Sequence, residues 1–92
     1  MNAPRRELLL AALTFPGEYM IKAFGPGGGD FRERVVASAR RVLAEEHVEV
    51  RERATQSGAR ICVTLNLRVT CVEEVEEVYG HLYQVEDLML IL

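Results

Sequence analysis

Between Glu18 and Leu92 the spacing of apolar residues switches between alternation and helical spacing, and the six segments read strand, helix, strand, strand, helix, strand. In the first segment, Glu18 to Gly25, Tyr19, Ile21 and Ala23 lie on one side and Met20, Lys22 and Phe24 on the other. A glycine-rich loop, Gly25 to Gly29 with Pro26 inside it, breaks this strand. Asp30 with Glu33 three residues on has the form of a capping box. Phe31, Val35, Ala39, Val42 and Leu43 then share one face of a helix expected to reach about Glu46. Val48, Val50 and Glu52 alternate with Glu49, Arg51 and Arg53, the pattern of a short, heavily charged strand at a protected sheet edge. After a turn at Gln56, Ser57 and Gly58, the residues Ile61, Val63, Leu65, Leu67 and Val69 alternate without a fault, which predicts a central strand. Thr70 and Glu73 repeat the capping-box pattern. Val72, Val75, Val78, Tyr79 and Leu82 form the inner face of a second helix, their spacing outweighing the strand preference of valine. In the last strand Leu88, Leu90 and Leu92 alternate with Met89 and Ile91, so both faces are apolar.

That order defines an α+β fold, the ferredoxin-like βαββαβ two-layer sandwich: a four-stranded antiparallel sheet with two helices on one face. The domain spans residues 18 to 92 and follows a leader, residues 1 to 17. Within the leader, Glu7 to Leu13 is rich in helix formers but has no clear cap before Pro16 and Gly17 stop it, so it reads as a short helix or an arm. The topology sets the strands in the order fourth, first, third, second, with the apolar last strand at one edge and the charged second strand at the other. An edge that is apolar on both faces invites association unless it is covered. The open face is expected to show Met20, Phe24, Met89 and Ile91 beside Lys22, Cys62, Thr64, Asn66 and Arg68. Two covers are available: leader residues Leu8, Leu9, Leu10, Leu13 and Phe15, or a second copy of the chain. A homodimer is expected, with Met20, Phe24, Leu88, Met89, Leu90 and Ile91 at its interface.

Composition narrows the class of partner. The chain has 92 residues, 49% hydrophobic and 27% charged, with a formal charge of −3, so it is sized for one core and argues against a nucleic-acid backbone as partner. No membrane span is expected, and the apolar run Leu8 to Leu13 is too short for a secretory signal. Cys62 and Cys71 are separated by the rest of an extended strand, roughly 25 to 30 Å at about 3.3 Å per residue, too far to bridge. Two free thiols fit a cytoplasmic location.

The run Phe15, Pro16, Gly17, Glu18, Tyr19, Met20, Ile21, Lys22 to Gly25 resembles the opening of the YbeD-like family of small bacterial proteins. The stretch Val63 to Leu67, then Thr70, Val72, Glu73, Val75, Val78, Tyr79 and Leu82, and the ending Met89 to Leu92 resemble that family's close. The resemblance covers nearly everything from Phe15 onward and rests on many weak positions. It implies a fold similar to the ACT domain, a βαββαβ module that binds amino acids and related effectors at subunit interfaces, and by that analogy a regulatory or binding role. Arg60 and Cys62 depart from the family pattern, which usually has an aromatic and a serine there, and the Gly25 to Gly29 loop is richer in glycine.

Three features carry candidate chemistry. Gly25, Gly27, Gly28 and Gly29 open a helix, where backbone N–H groups can hold an anion, although Asp30 already places a negative charge at the cap. Lys22 on a central strand, with Asn66 and Arg68 on its neighbour, forms a candidate polar patch; a snorkelling lysine paired with a carboxylate is the plainer reading. Glu73, Glu74, Glu76 and Glu77 crowd a helix start, where negative charge is favourable without any ligand. His47 and His81 lack metal-ligand spacing, so neither a metal nor a cofactor is expected. The sequence therefore reads as a non-enzymatic regulatory module that senses a small metabolite or docks to a partner protein. An acylphosphatase-like hydrolase would need an arginine in the first loop, which is missing, and an RNA-binding sheet would need more exposed aromatics than Phe24.

Overall fold

The computed structural model describes residues 4–92. The faultless alternation of β3 (Arg60–Val69) places it inside the sheet, antiparallel to β1 (Gly17–Pro26) from Gly17 opposite Val69 to Pro26 opposite Arg60. β2 (Val48–Ala54) pairs with its other side, and β4 (Leu90–Ile91) pairs with β1, giving the order β2-β3-β1-β4. Helices α2 (Phe31–Arg40) and α3 (Val72–Leu82) bury their apolar stripes against one sheet face. The architecture is the ferredoxin-like α+β sandwich. Ile21, Val63 and Leu65 from the strands meet Phe31, Val35, Val75, Val78 and Leu82 from the helices in a core without solvent access. Each such side chain contributes about 1.5 to 3 kcal/mol by leaving water.

Two glycines serve this packing directly. The ring of Phe31 fills the space a Cβ would take at Gly25, and the carbonyl oxygen of Gly58 does so at Gly27. The Gly27 N–H also donates to the Ala59 carbonyl at 3.0 Å, so the loop closes onto the β2–β3 hairpin.

Several local features depart from the sequence reading. α2 ends at Arg40, short of Glu46. The Val42 N–H bonds back three residues to Ala39, the chain turns extended at Ala44, and a 3₁₀ turn at Glu45–His47 delivers Val48 opposite Leu67. Neither expected capping box forms. Asp30 accepts from the Arg34 Nε at 3.0 Å, and it is Glu74, one residue beyond Glu73, that accepts from the Thr70 N–H at 2.6 Å and its hydroxyl at 3.0 Å.

The leader does not lie on the open sheet face. Its helix α1 (Arg6–Ala12) packs on α3, with Leu9 buried in the core and the Arg6 guanidinium on Glu76 at 2.6 and 3.3 Å and near Glu73 at 3.5 Å. The acidic start of α3 attracts the basic leader to the helical layer, where Leu9 finds apolar cover. Residues 1 to 3 lie outside the described residues.

β4 also changes which residues face outward. Ile91 pairs with Ala23, whose side chain points into the core, so Ile91 is buried, while Leu90 and Leu92 join Phe24 and Lys22 on the open face. The expected outward set, Met89 and Ile91, is off by one residue at Ile91. A strand apolar on both faces has no alternation to fix its register, so its pairing with β1 decides.

Where β1 meets α3, the Tyr19 and Tyr79 hydroxyls share a hydrogen bond of 2.9 Å, and the Tyr79 ring also stacks on Tyr83. Burial, reinforced by the bond to Tyr19, pushes the Tyr79 phenol far above the ordinary value of 10.0. A raised pKa on an acid stabilises the fold fully below the unfolded value and is lost as pH rises past it. Stability is therefore expected to fall from about pH 10 upward, by at most about 1.4 kcal/mol per pH unit from this group. Urea titrations between neutral and alkaline pH check this; Tyr79→Phe should flatten the decline, and an unchanged slope would rule the cause out.

Candidate functional site

The face of the sheet opposite the helices is covered by no described segment. β1 presents Met20, Lys22 and Phe24 there, β3 presents Cys62, Thr64, Asn66 and Arg68, β2 presents Glu49, Arg51 and Arg53, and β4 presents Leu90 and Leu92. Side-chain charge on this face runs against the chain as a whole. Its five cations, Lys22, Arg51, Arg53, Arg60 and Arg68, face two carboxylates, Glu18 and Glu49, on a chain of formal charge −3.

The distribution is uneven along the strands. Glu18 and Glu49 sit at the end that holds Asn66 and Arg68, whereas the rows Lys22–Thr64–Arg51 and Phe24–Cys62–Arg53, with Arg60 beyond, carry only positive charge. Away from the open face most arginines are paired: Arg6 with Glu76, Arg32 with Glu52, Arg34 with Asp30 and Asp87, Arg40 with Glu45, while Arg5 and Arg41 stand without a partner among the described residues. On the open face only Arg51 has such a partner, Glu49 at 3.5 Å, and Lys22, Arg53, Arg60 and Arg68 have none among the described residues. Four unpaired cations on one surface are a standing attraction for negative charge.

A shallow hollow of about 570 Å³ lies over the positive half, lined by Lys22, Phe24, Arg51, Arg53, Cys62, Thr64 and Leu92 and by one acidic residue, Glu52, whose carboxylate is turned to Arg32 on the helical side. Its chemistry is graded across the sheet, with cations toward β2 and apolar groups toward β4. Of the six large apolar side chains that stand exposed among the described residues, four, Met20, Met89, Leu90 and Leu92, belong to this face or to its β4 rim.

The candidate patch Lys22, Asn66 and Arg68 shares the face but not one site. Lys22 belongs to the hollow, and Asn66 and Arg68 line a separate one with Glu18, Glu46, His47 and Glu49. In the glycine loop, Gly25 and Gly27 are occupied with packing, Gly28 holds a positive φ of 79°, and Gly29 faces open space. Leu88 is half-buried against the core. Cys62 is half-buried with its Sγ 3.9 Å from the Thr64 hydroxyl, and both cysteines are free, in line with their sequence separation. Among the described residues no cluster of three or more His, Cys, Asp or Glu is placed to hold a metal. Nor is any helix long and apolar enough to cross a membrane.

Arg51, Arg53 and Leu92 are the functional candidates that sequence reasoning did not single out. The signal for the arginines lay in β2 itself, since alternation with Val48 and Val50 sets residues 49, 51 and 53 on the face away from the core. Their charge read as edge protection; only pairing brings them beside Lys22.

A small α+β sandwich with a bare, positively charged sheet face and no metal cluster among its described residues belongs to the class of ferredoxin-like domains with one face free. The chain is a member of the family described as protein of unknown function DUF493, the YbeD-like family, whose model matches residues 11–92. A UPF0250 protein of Shewanella halifaxensis is 25% identical over 80 residues, which cover 87% of this chain and 90% of that relative.

Proposed function

We propose that the protein is a non-enzymatic binding module whose recognition surface is the open face of its sheet, and that it recognises negative charge there. The observation that supports this reading is the contrast in pairing: four of the six described arginines away from the open face are matched by carboxylates, whereas of the five cations on it only Arg51 is. An effector or a partner protein is favoured over a hydrolase. Asn66 stands on β3, but the Gly25 to Gly29 loop supplies no arginine to cradle a phosphate during chemistry.

The reading gives less support to the homodimer that the sequence suggested. Two copies docked face to face would set one cationic surface against another, at a cost in repulsion. A monomer at high concentration by sedimentation would agree with this.

A thermal-shift series tests the function. Anionic probes, namely dicarboxylates, nucleotides and pyrophosphate, should raise the melting temperature, and cationic ones should not. At about 100 times its dissociation constant a ligand adds roughly 2.7 kcal/mol, which is about 10 to 20 °C for a domain of this size. The shift should be lost in Lys22→Ala and in Arg53→Ala. Shifts that survive both substitutions would place recognition elsewhere and end this reading.

A further inference from the structure

From the layout of the open face we infer that its occupant is an acidic amphipathic helix of another protein. The inference rests on the reading of this face as the recognition surface. Along the strands the face is divided into two lanes. The β1 and β4 lane is mainly apolar, with Met20, Phe24, Leu90 and Leu92 interrupted by Lys22 and bounded by Glu18 at the end away from the hollow, and the β2 and β3 half beside the hollow carries Arg51 and Arg53. With strands about 4.8 Å apart, the two lanes lie within about 14 Å of each other, close to the 10 to 12 Å width of a helix with its side chains.

A helix laid along the strands would cover the apolar lane with its hydrophobic stripe and bring one flank over Lys22, Arg51 and Arg53. Glutamates at i, i+3 and i+4 on that flank would meet all three. The packing repeats on the bare face what α2 and α3 already do on the other, so the sheet would become the middle of three layers. An exposed apolar patch rimmed by charge is the usual form of such a docking surface.

Other occupants fit less well. Single-stranded nucleic acid matches the charge, but its bases need aromatic platforms, and the face has only Phe24. A second copy cannot supply the helix: α3 is acidic, but its apolar stripe is buried in its own core, and α1 carries Arg6 beside a single Glu7.

Fluorescence anisotropy with three labelled probes decides the matter. The first is a peptide of about 18 residues, roughly 27 Å as a helix, with leucines on one stripe and glutamates on a flank. The second has lysine for each glutamate, and the third is a uridine oligonucleotide. The acidic peptide should bind at least about tenfold more tightly than either of the others, gain helicity by circular dichroism, and weaken as salt is raised. The triple substitution Lys22→Glu, Arg51→Glu, Arg53→Glu should weaken it by about tenfold or more, and Arg41→Glu on the helical side should leave it unchanged. Equal binding of the acidic and basic peptides, or tighter binding of the oligonucleotide, overturns the proposal. If small anions still shift the melting temperature through Lys22 and Arg53 in that case, the recognition surface stands and only its occupant is wrong; if they do not, both readings fail.

Discussion

Phe31→Ala is expected to destabilise the protein by about 3 to 5 kcal/mol, the cost of emptying a fully buried aromatic site. Phe31 is the first residue of α2, and its ring lies where Gly25 has no side chain, so it joins the end of β1 to the helical layer. The surroundings cannot easily collapse into the space, because Ile21, Val35 and Val63 are themselves fully buried. For a domain whose total stability is of the order of 5 to 15 kcal/mol, the loss removes a large share of it. Urea unfolding followed by circular dichroism measures this. A companion substitution sharpens the cause: Gly25→Ala should be costly in the wild type, where the new methyl meets the Phe31 ring, and nearly neutral in Phe31→Ala, where the space is free. Equal costs in both backgrounds would contradict the close approach.

Gly27→Val should cost about 1 to 3 kcal/mol, because the obstacle at this position is the backbone carbonyl of Gly58, which cannot move aside as a side-chain tip can. The Gly27 N–H bond to Ala59 would be strained by the same displacement. Gly29→Ala meets nothing within 4 Å and should change stability by no more than about 0.5 kcal/mol. Urea midpoints of the two variants separate packing from loop flexibility, and similar midpoints would refute the difference drawn here. Loss of ligand binding in Gly27→Val would then report a loosened hairpin, so Lys22→Ala and Arg53→Ala are the substitutions that probe the open face.

These variants also show which parts of the molecule were legible from residues alone. Glycine in a loop announces a turn, yet Gly25 and Gly27 are glycines for reasons that lie in Phe31 and Gly58, one across a layer and one across the sheet. The caps teach the same lesson on a smaller scale. Thr70 and Glu73 had the right spacing, but the side chain that turned back to Thr70 belongs to Glu74, because α3 begins after Cys71. Such choices between neighbouring residues cost little energy, so local pattern does not settle them.

For the open sheet face the sequence marked Lys22, Phe24 and Met20 correctly as outward-facing, since β1 alternates between a fully apolar and a mixed side. It could not unite Lys22 with Arg51 and Arg53, because these belong to different strands, joined only through β3 between them. It also left the leader free to cover the open face. That was decided by two long-range contacts, Leu9 reaching the core and Arg6 reaching Glu76, whose partners lie far along the chain.

By itself, then, the sequence determined the element order, the strand order, the central place of β3 and the inner faces of both helices. Periodicity is a local property that burial on one side imposes wherever it occurs. Only the tertiary structure decided the facing of β4, the docking of α1 and the gathering of unpaired cations beside exposed leucines. Each of these depends on register or on contact between segments remote in the chain, and a change of one residue in register exchanges the inside of a strand for its outside.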